Sequence, residues 1–456
     1  MEEGLPTILW RLSRDIVNVV ETLKERGKIR RIKRLWFREK ITNFEYKEGS
    51  MGWQASPEYF EKEEWDWRDR FRIIEPEIKK MPTYINAHRY ISEIYKVNEL
   101  RAEFLLSRFV HNVIIKALDA TLSEEELVEL ITLFHNDLEG APIIWNVTVE
   151  LRGIWLKDEE IIVDEGLKLR RPRPEDLAYE CPVEEMIERA VPRFHVPFFS
   201  HATAVLEITQ RSQSQLNLLD ELEKIIIALR LYKPASIAKI GIVWRPKSIL
   251  QFESVTWYTP IQPEIYRYSL ASEDASKLKT LLDKIKPLLP VVQGRIETID
   301  HISISLQRYD DALFKPDPME RLTYAIMSLE ALFLKSSERE ELKHRLAQRV
   351  ARCLSLYGYQ SLEVYRTVAQ SYDIRSEFVH GTLINKEKKD YTATLADKVI
   401  EYLRTSILMF LELKDEIEKD NFLNTIDNSL LHQDAFTKLE KLIRENTPIT
   451  TSLIPV

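Results

Sequence analysis

Between Asp317 and Phe410 the apolar residues recur every three or four positions in four successive runs, a periodicity that a set of amphipathic helices satisfies. Asp317-Pro318-Met319-Glu320 opens the first run with an N-cap, a proline at the first helical position and a capping-box carboxylate. Leu322, Ala325, Ile326, Leu329, Leu332 and Phe333 follow on one face. A second helix is expected from about residue 338, with Leu342, Leu346, Val350 and Leu354 inward and Gly358 beyond its end. The third carries Leu362, Tyr365, Val368, Ala369 and Tyr372 and stops at Gly381. The fourth, from about residue 391, turns Leu395, Val399, Leu403, Ile407 and Phe410 inward. Helices of this kind with short connections form a bundle.

The third helix closes on Tyr372-Asp373-Ile374-Arg375-Ser376-Glu377-Phe378-Val379-His380-Gly381. Arginine is a permanent cation with a forked donor set suited to phosphate, and histidine exchanges a proton near neutrality. Together they can hold a phosphodiester and move the protons its cleavage needs. Spacing does not select this pair by itself. Arg189–His195, Arg295–His301, Arg339–His344 and Arg375–His380 are all comparably spaced. Pro192 interrupts the first pair, and the second sits in the strand-like alternation of Ile296, Ile299, Ile302 and Ile304. The third lies in a charged stretch that reads as a solvated helix face. Only the fourth closes a helix of the bundle. Five helical positions turn through about 500°, so Arg375 and His380 start roughly 140° apart. Convergence needs the long arginine stem, a helix end at Gly381 that releases His380, or a second protomer. Both cations also suit the dipole of a last helical turn, a purely structural reason for the same residues.

Residues 315–415 resemble an ApeA-like HEPN domain. Ser-Leu-Glu-Ala-Leu-Phe at 328–333, Leu-Ala-Gln-Arg-Val-Ala at 346–351 and the Tyr372–Gly381 block carry the resemblance, over less than a quarter of the chain. It implies a helical ribonuclease domain that dimerises, so that the Arg-His elements of two copies line one cleft. It also implies metal-independent RNA cleavage by 2′-hydroxyl attack, without cofactor, leaving a cyclic phosphate and a 5′-hydroxyl, in antiviral defence or as a toxin. Arg375 and His380 would then be catalytic, with Ser376 a small polar group that orients the substrate or the histidine. Glu330, the acidic residue inside an apolar block, either faces the cleft and holds Arg375 or lies in solvent. Asp373 is either a charge partner or simply solvated. Thr382 stands where relatives controlled by a nucleotidyltransferase carry a tyrosine, so that mode of control has no support here.

A net charge of −8 argues against bulk, nonspecific nucleic-acid binding, but a nuclease needs only a local positive path. One candidate is Lys24–Lys40, where Arg30, Arg31, Lys33 and Arg34 stand beside Leu35, Trp36 and Phe37 as RNA contacts. The pattern fits better an amphipathic element with Ile29, Ile32 and Leu35 packed inward. Arg170–Pro174 reads as an exposed linker. Hydrophobic content of 44% with 30% charge indicates a folded chain, and Cys181 and Cys353 show no ligand spacing, consistent with a reducing interior. Without a basic leader or a long apolar run, a cytoplasmic protein with no membrane contact is expected.

Elsewhere, a helix is expected over 5–27, helices continue over about 87–137, and the tryptophan-rich stretch at 53–67 reads as packing material. Arg108-Phe-Val-His111 echoes the later motif at too short a spacing and is expected to pack. Strands are expected near 143–151, 161–163, 203–210, 237–245 and 250–258, and helices over 215–231 and 272–289. The tail after Thr447 is expected to be disordered. The whole reads as a multidomain α+β protein, mainly α. Residues 1–140 would be a mainly helical region and 141–314 a mixed α/β sensor or regulatory domain. Residues 315–420 would form the HEPN helical bundle, and 421–456 a helix and tail. RNA, a second copy of the chain, and a protein or nucleic-acid trigger at the N-terminal region are the expected partners. The alternative is a non-catalytic dimerisation or RNA-binding scaffold.

Overall fold

The computed structural model describes residues 4–120, 122–177, 180–184, 202–258, 264–381 and 386–454. It is an α+β fold in which helices predominate. Helix α1 (Leu5–Glu25) buries Leu5, Ile8, Leu9, Leu12, Ile16, Val20 and Leu23. Helices α2 (Pro82–Ile94), α3 (Glu99–Asp119) and α4 (Glu124–Leu138) close over that face, with Phe109 and Phe134 meeting at 5.0 Å. Their starts are set locally: Asn98 accepts from the Arg101 N–H, and Ser123 and Glu126 cap each other reciprocally.

Between α1 and α2 the chain leaves this unit as an antiparallel hairpin, β1 (Arg31–Lys47) and β2 (Ser50–Trp65). The expectation of a mainly helical region over 1–140 did not contain it. Neither strand has a fully buried residue, so the alternation runs between half-buried and exposed positions and the apolar period is faint.

The middle of the chain adds β3 (Ile143–Arg152), β4 (Ile154–Leu156), β5 (Glu160–Asp164), β6 (Leu167–Arg170), β7 (Glu180–Pro182), β8 (Ala204–Ser212), β9 (Ala238–Pro246), β10 (Ser254–Trp257) and β11 (Tyr268–Leu270). Six of these form an antiparallel sheet in the order β10-β9-β3-β8-β6-β5, while β7 pairs with β1 and β11 runs parallel to β4. Trp145, Val147, Val149 and Leu151 of β3 share one apolar core with helices α5 (Gln215–Tyr232) and α6 (Ala275–Ile285). That core continues without a break into the C-terminal helices, α7 (His301–Phe314), α8 (Pro318–Phe333), α9 (Leu342–Ser355), α10 (Ser361–Val379) and α11 (Lys386–Leu413). Phe410 links them, its ring edge-on to Phe333 at 5.2 Å and to Phe422 at 5.3 Å. Helices α12 (Lys419–Ser429), α13 (Gln433–Asn446) and α14 (Pro448–Leu453) finish the chain.

Two sequence expectations are corrected. The strand-like alternation over 296–304 resolves into a two-residue strand, Arg295–Ile296, and then α7. Asp300 and Ser303 form a reciprocal cap at the start of α7, which buries Ile302, Leu306, Tyr309 and Leu313. The isoleucines had straddled that boundary. The expected disordered tail is instead helical over Pro448–Leu453. The Glu412 carboxylate accepts from the Ile449 and Thr450 N–H groups at 2.9 and 2.8 Å and so caps α14, and Ile449 is buried.

Candidate functional site

Helix α10 lies against α8 and carries the Arg-His element at its C-terminal end. Ile374 is buried, and Arg375 turns partly inward toward α8. There Arg375 Nη2 stands 3.5 Å from Glu330 Oε2, with the two side chains 24% and 20% exposed. The guanidinium lies 6.0 Å from the Tyr372 ring. Burial pushes the Glu330 carboxyl up, and the nearby Arg375 and Arg308 charges pull it back. Arg308 is fixed in turn by donating to the Met327 carbonyl at 2.8 Å. Arg375 Nε and the Ser371 hydroxyl are enclosed and meet no hydrogen-bond partner among the described residues. The Arg375 guanidinium is therefore held from one side with donor capacity left over.

His380 sits one residue beyond the last turn. Its backbone N–H donates to the Ser376 carbonyl at 3.1 Å, and Gly381 follows with φ of 78°, a left-handed cap that suits glycine. His380 is exposed. Ser376 is half-buried on α10, between Arg375 and Glu377. Asp373 points elsewhere, pairing with Lys343 of α9 at 3.2 Å. Glu330, Arg375 and Tyr372 are thus brought together, while Asp373 is drawn away and His380 projects from the helix end. Thr382 lies outside the described residues.

The other Arg-His pairs have separate environments. Arg189 and His195 lie outside the described residues. His301 is half-buried, edge-on to Phe410 at 5.8 Å, and burial lowers its pKa. His344 Nδ1 meets the Tyr365 hydroxyl at 2.7 Å.

The basic run at 30–34 lies at the base of β1, opposite an acidic strand. Arg30 reaches Asp66 at 4.0 Å, Arg31 reaches Glu63 at 3.9 Å, and Lys33 reaches Glu61 at 3.6 Å. Arg34 holds Glu64 at 2.8 Å and Glu184 at 3.1 Å. Ile29 packs inward as expected, but Leu35 is 49% exposed because it lies on the open hairpin. Arg170 also departs from expectation. Far from lying in an exposed linker, it ends β6 in buried pairs with Asp176 and Glu207.

Sequence reading missed several buried ionisable side chains, Arg349 and Glu150 among them. Arg349 of α9 is 1% exposed and bridges Glu338 at 2.6 Å and Asp427 at 2.7 Å. Its only signal was an arginine at an inward-facing helical position. Glu150 of β3 is fully enclosed with neither carboxylate oxygen partnered. Burial, reinforced by Asp176, pushes it up to about 8. Among the described residues no group of His, Cys, Asp and Glu converges to hold a metal ion, and no helix is long and apolar enough to cross a membrane. Comparison with protein-family models, characterised proteins and solved structures gives no match.

Proposed function

We propose that this chain is a metal-independent endoribonuclease of the HEPN type, with Arg375 binding the scissile phosphate and His380 transferring protons. The observation that carries the reading is the Arg375 environment. Glu330 anchors its guanidinium from within the bundle while part of it stays exposed, with His380 on a released helix end about 7.5 Å further along the axis. A fixed cation beside the phosphate stabilises charge as it develops, and an exposed imidazole can exchange protons with substrate.

In this scheme the ribose 2′-oxygen loses its proton and bonds to phosphorus. The bond from phosphorus to the 5′-oxygen breaks, and that oxygen takes up a proton. The products are a 2′,3′-cyclic phosphate and a 5′-hydroxyl. Because Arg375 and His380 leave α10 on different faces, a second copy of the chain supplies the complementary half of the cleft. The N-terminal helical unit and the sheet would then sense a trigger or select RNA, in a defence or toxin role.

A second reading has its own support. The Arg375–Glu330 pair is also what a bundle uses to hold two helices together, which fits a non-catalytic dimerisation or RNA-binding scaffold. Single-turnover cleavage by wild type, Arg375→Ala and His380→Ala separates the two. Cleavage lost in both variants supports the nuclease, whereas RNA binding without cleavage in all three supports the scaffold.

A further inference from the structure

In the Arg108–His111 segment Phe109 and Val110 pack into the core, as expected, while Arg108 and His111 are half-buried at the edge of α3, and the catalytic scheme gives these two no task. Arg101, Phe104, Arg108 and His111 share one face over about 15 Å of helix rise. Three arginines here lie over aromatic rings. Arg101 stacks on Phe104 at 5.3 Å, Arg108 on Phe252 at 3.6 Å, and Arg70 on Phe71 at 4.4 Å. The rings themselves remain open to solvent, Phe104 at 47%, Phe252 at 58% and Phe71 at 51% exposure.

Two features show that this face is built rather than accidental. Arg70–Ile74 form a single π-helical turn, a geometry concentrated at functional sites, and it brings Arg70 Nη1 to 3.4 Å from His111 Nε2. The loop bearing Phe252 is tied down by Asp137, which accepts from the Ile249 and Leu250 N–H groups at 2.7 and 3.0 Å.

The charge is left unbalanced. Glu75 takes Arg70 Nε at 2.8 Å, but among the described residues no carboxylate pairs with Arg108 or His111. Arg108 Nε and His111 Nδ1 are enclosed without a partner. Burial, then the Arg70 and Arg108 charges, hold His111 down at about 4. His111 is then neutral near pH 7, and the cation left without a carboxylate is Arg108, which an anion would balance. The exposed rings add a second requirement, flat partners between the charges. Phosphates on guanidinium groups and unpaired bases on aromatic rings meet both.

We propose that the α3 face, centred on Arg70, Phe104, Arg108 and Phe252, binds a short stretch of single-stranded RNA. The choice of RNA rests on the ribonuclease reading above. The test is fluorescence anisotropy with the full chain and a short labelled 2′-O-methyl RNA, which cannot be cut by its own 2′-oxygen. Arg108→Ala is expected to weaken binding at least about tenfold and to reduce the salt slope by about one. Arg108→Lys keeps the charge without the flat stack and should recover part of the loss. Phe104→Ala, at an exposed position, should weaken binding without moving the melting temperature.

Equal affinity in wild type, Arg108→Ala and Phe104→Ala, or no binding by wild type, overturns the proposal. Unmodified RNA incubated in parallel separates it from the nuclease reading. Binding lost in the α3 variants with no cleavage by any protein keeps this site and removes the nuclease. Cleavage by wild type with unchanged binding in the α3 variants does the reverse.

Discussion

The β1 hairpin and the α3 face are both rich in cations and aromatics, yet folding treats their charges in opposite ways. On the hairpin, the antiparallel register sets Lys33 beside Glu63 and Arg38 beside Glu58, and Arg31, Lys33, Arg34 and Arg38 each reach a carboxylate. On α3, Arg108 reaches a phenylalanine ring and a carbonyl instead. Arg375 stands between these cases, with one carboxylate at 3.5 Å and an unpartnered Nε. The density of cations in a sequence therefore says little about where phosphate can bind. What matters is the charge left over once the chain has paired what it can.

That contrast can be broken or sharpened by substitution. On the proposed ribonuclease reading the largest effect is expected at His380: His380→Ala should lower RNA cleavage by about 10²–10⁴-fold in a single-turnover assay. Arg349→Ala should come next, because it leaves Glu338 and Asp427 facing a buried gap. Chemical denaturation should show a loss of about 3–5 kcal/mol, and a shift below about 1 kcal/mol would mean the network is solvated.

Glu150 gives the inverse case, a buried carboxyl with no partner. Its folded pKa of about 8 lies above the ordinary 4.5. Below pH 4.5 both folded and unfolded forms are protonated and nothing is lost. From there up to about 8 the folded state retains a proton that the unfolded chain has released, so stability falls with rising pH. The slope is at most about 1.4 kcal/mol per pH unit. Glu150→Gln should remove it, so thermal melts should show the variant gaining on wild type between pH 5 and pH 8. Parallel curves would contradict the assignment.

The smallest effect is expected on the hairpin. Arg31→Ala combined with Lys33→Ala breaks only exposed pairs and should leave affinity for single-stranded RNA within about twofold. A tenfold loss would contradict the proposed α3 site and favour β1.

Legibility in the sequence followed how local each cause was. Helices α8 and α10 were readable because caps and apolar spacing lie within the segment itself, from Asp317 through Leu332 and from Val364 through Ile374. The hairpin was not, since its strands bury no residue fully and their pairing joins positions as distant as Arg31 and Trp65. Helix α7 was obscured because Ile296 and Ile299 precede its cap at Asp300. At the candidate site, Arg375 and His380 could be singled out by their place at a helix end. The meeting of Glu330 with Arg375 was legible only as one of two options, because it depends on how α8 packs on α10. The stack of Phe252 on Arg108 had no local signal at all: the partners come from separate parts of the chain, and Asp137 brings them together.

The most direct measurement is the chemistry of product ends after wild-type protein is incubated with a mixed RNA pool in EDTA, beside Arg375→Ala and His380→Ala. The ribonuclease reading predicts cyclic phosphate and 5′-hydroxyl ends from wild type alone. Equal cleavage by all three proteins, or products with 5′-phosphate ends, would contradict it.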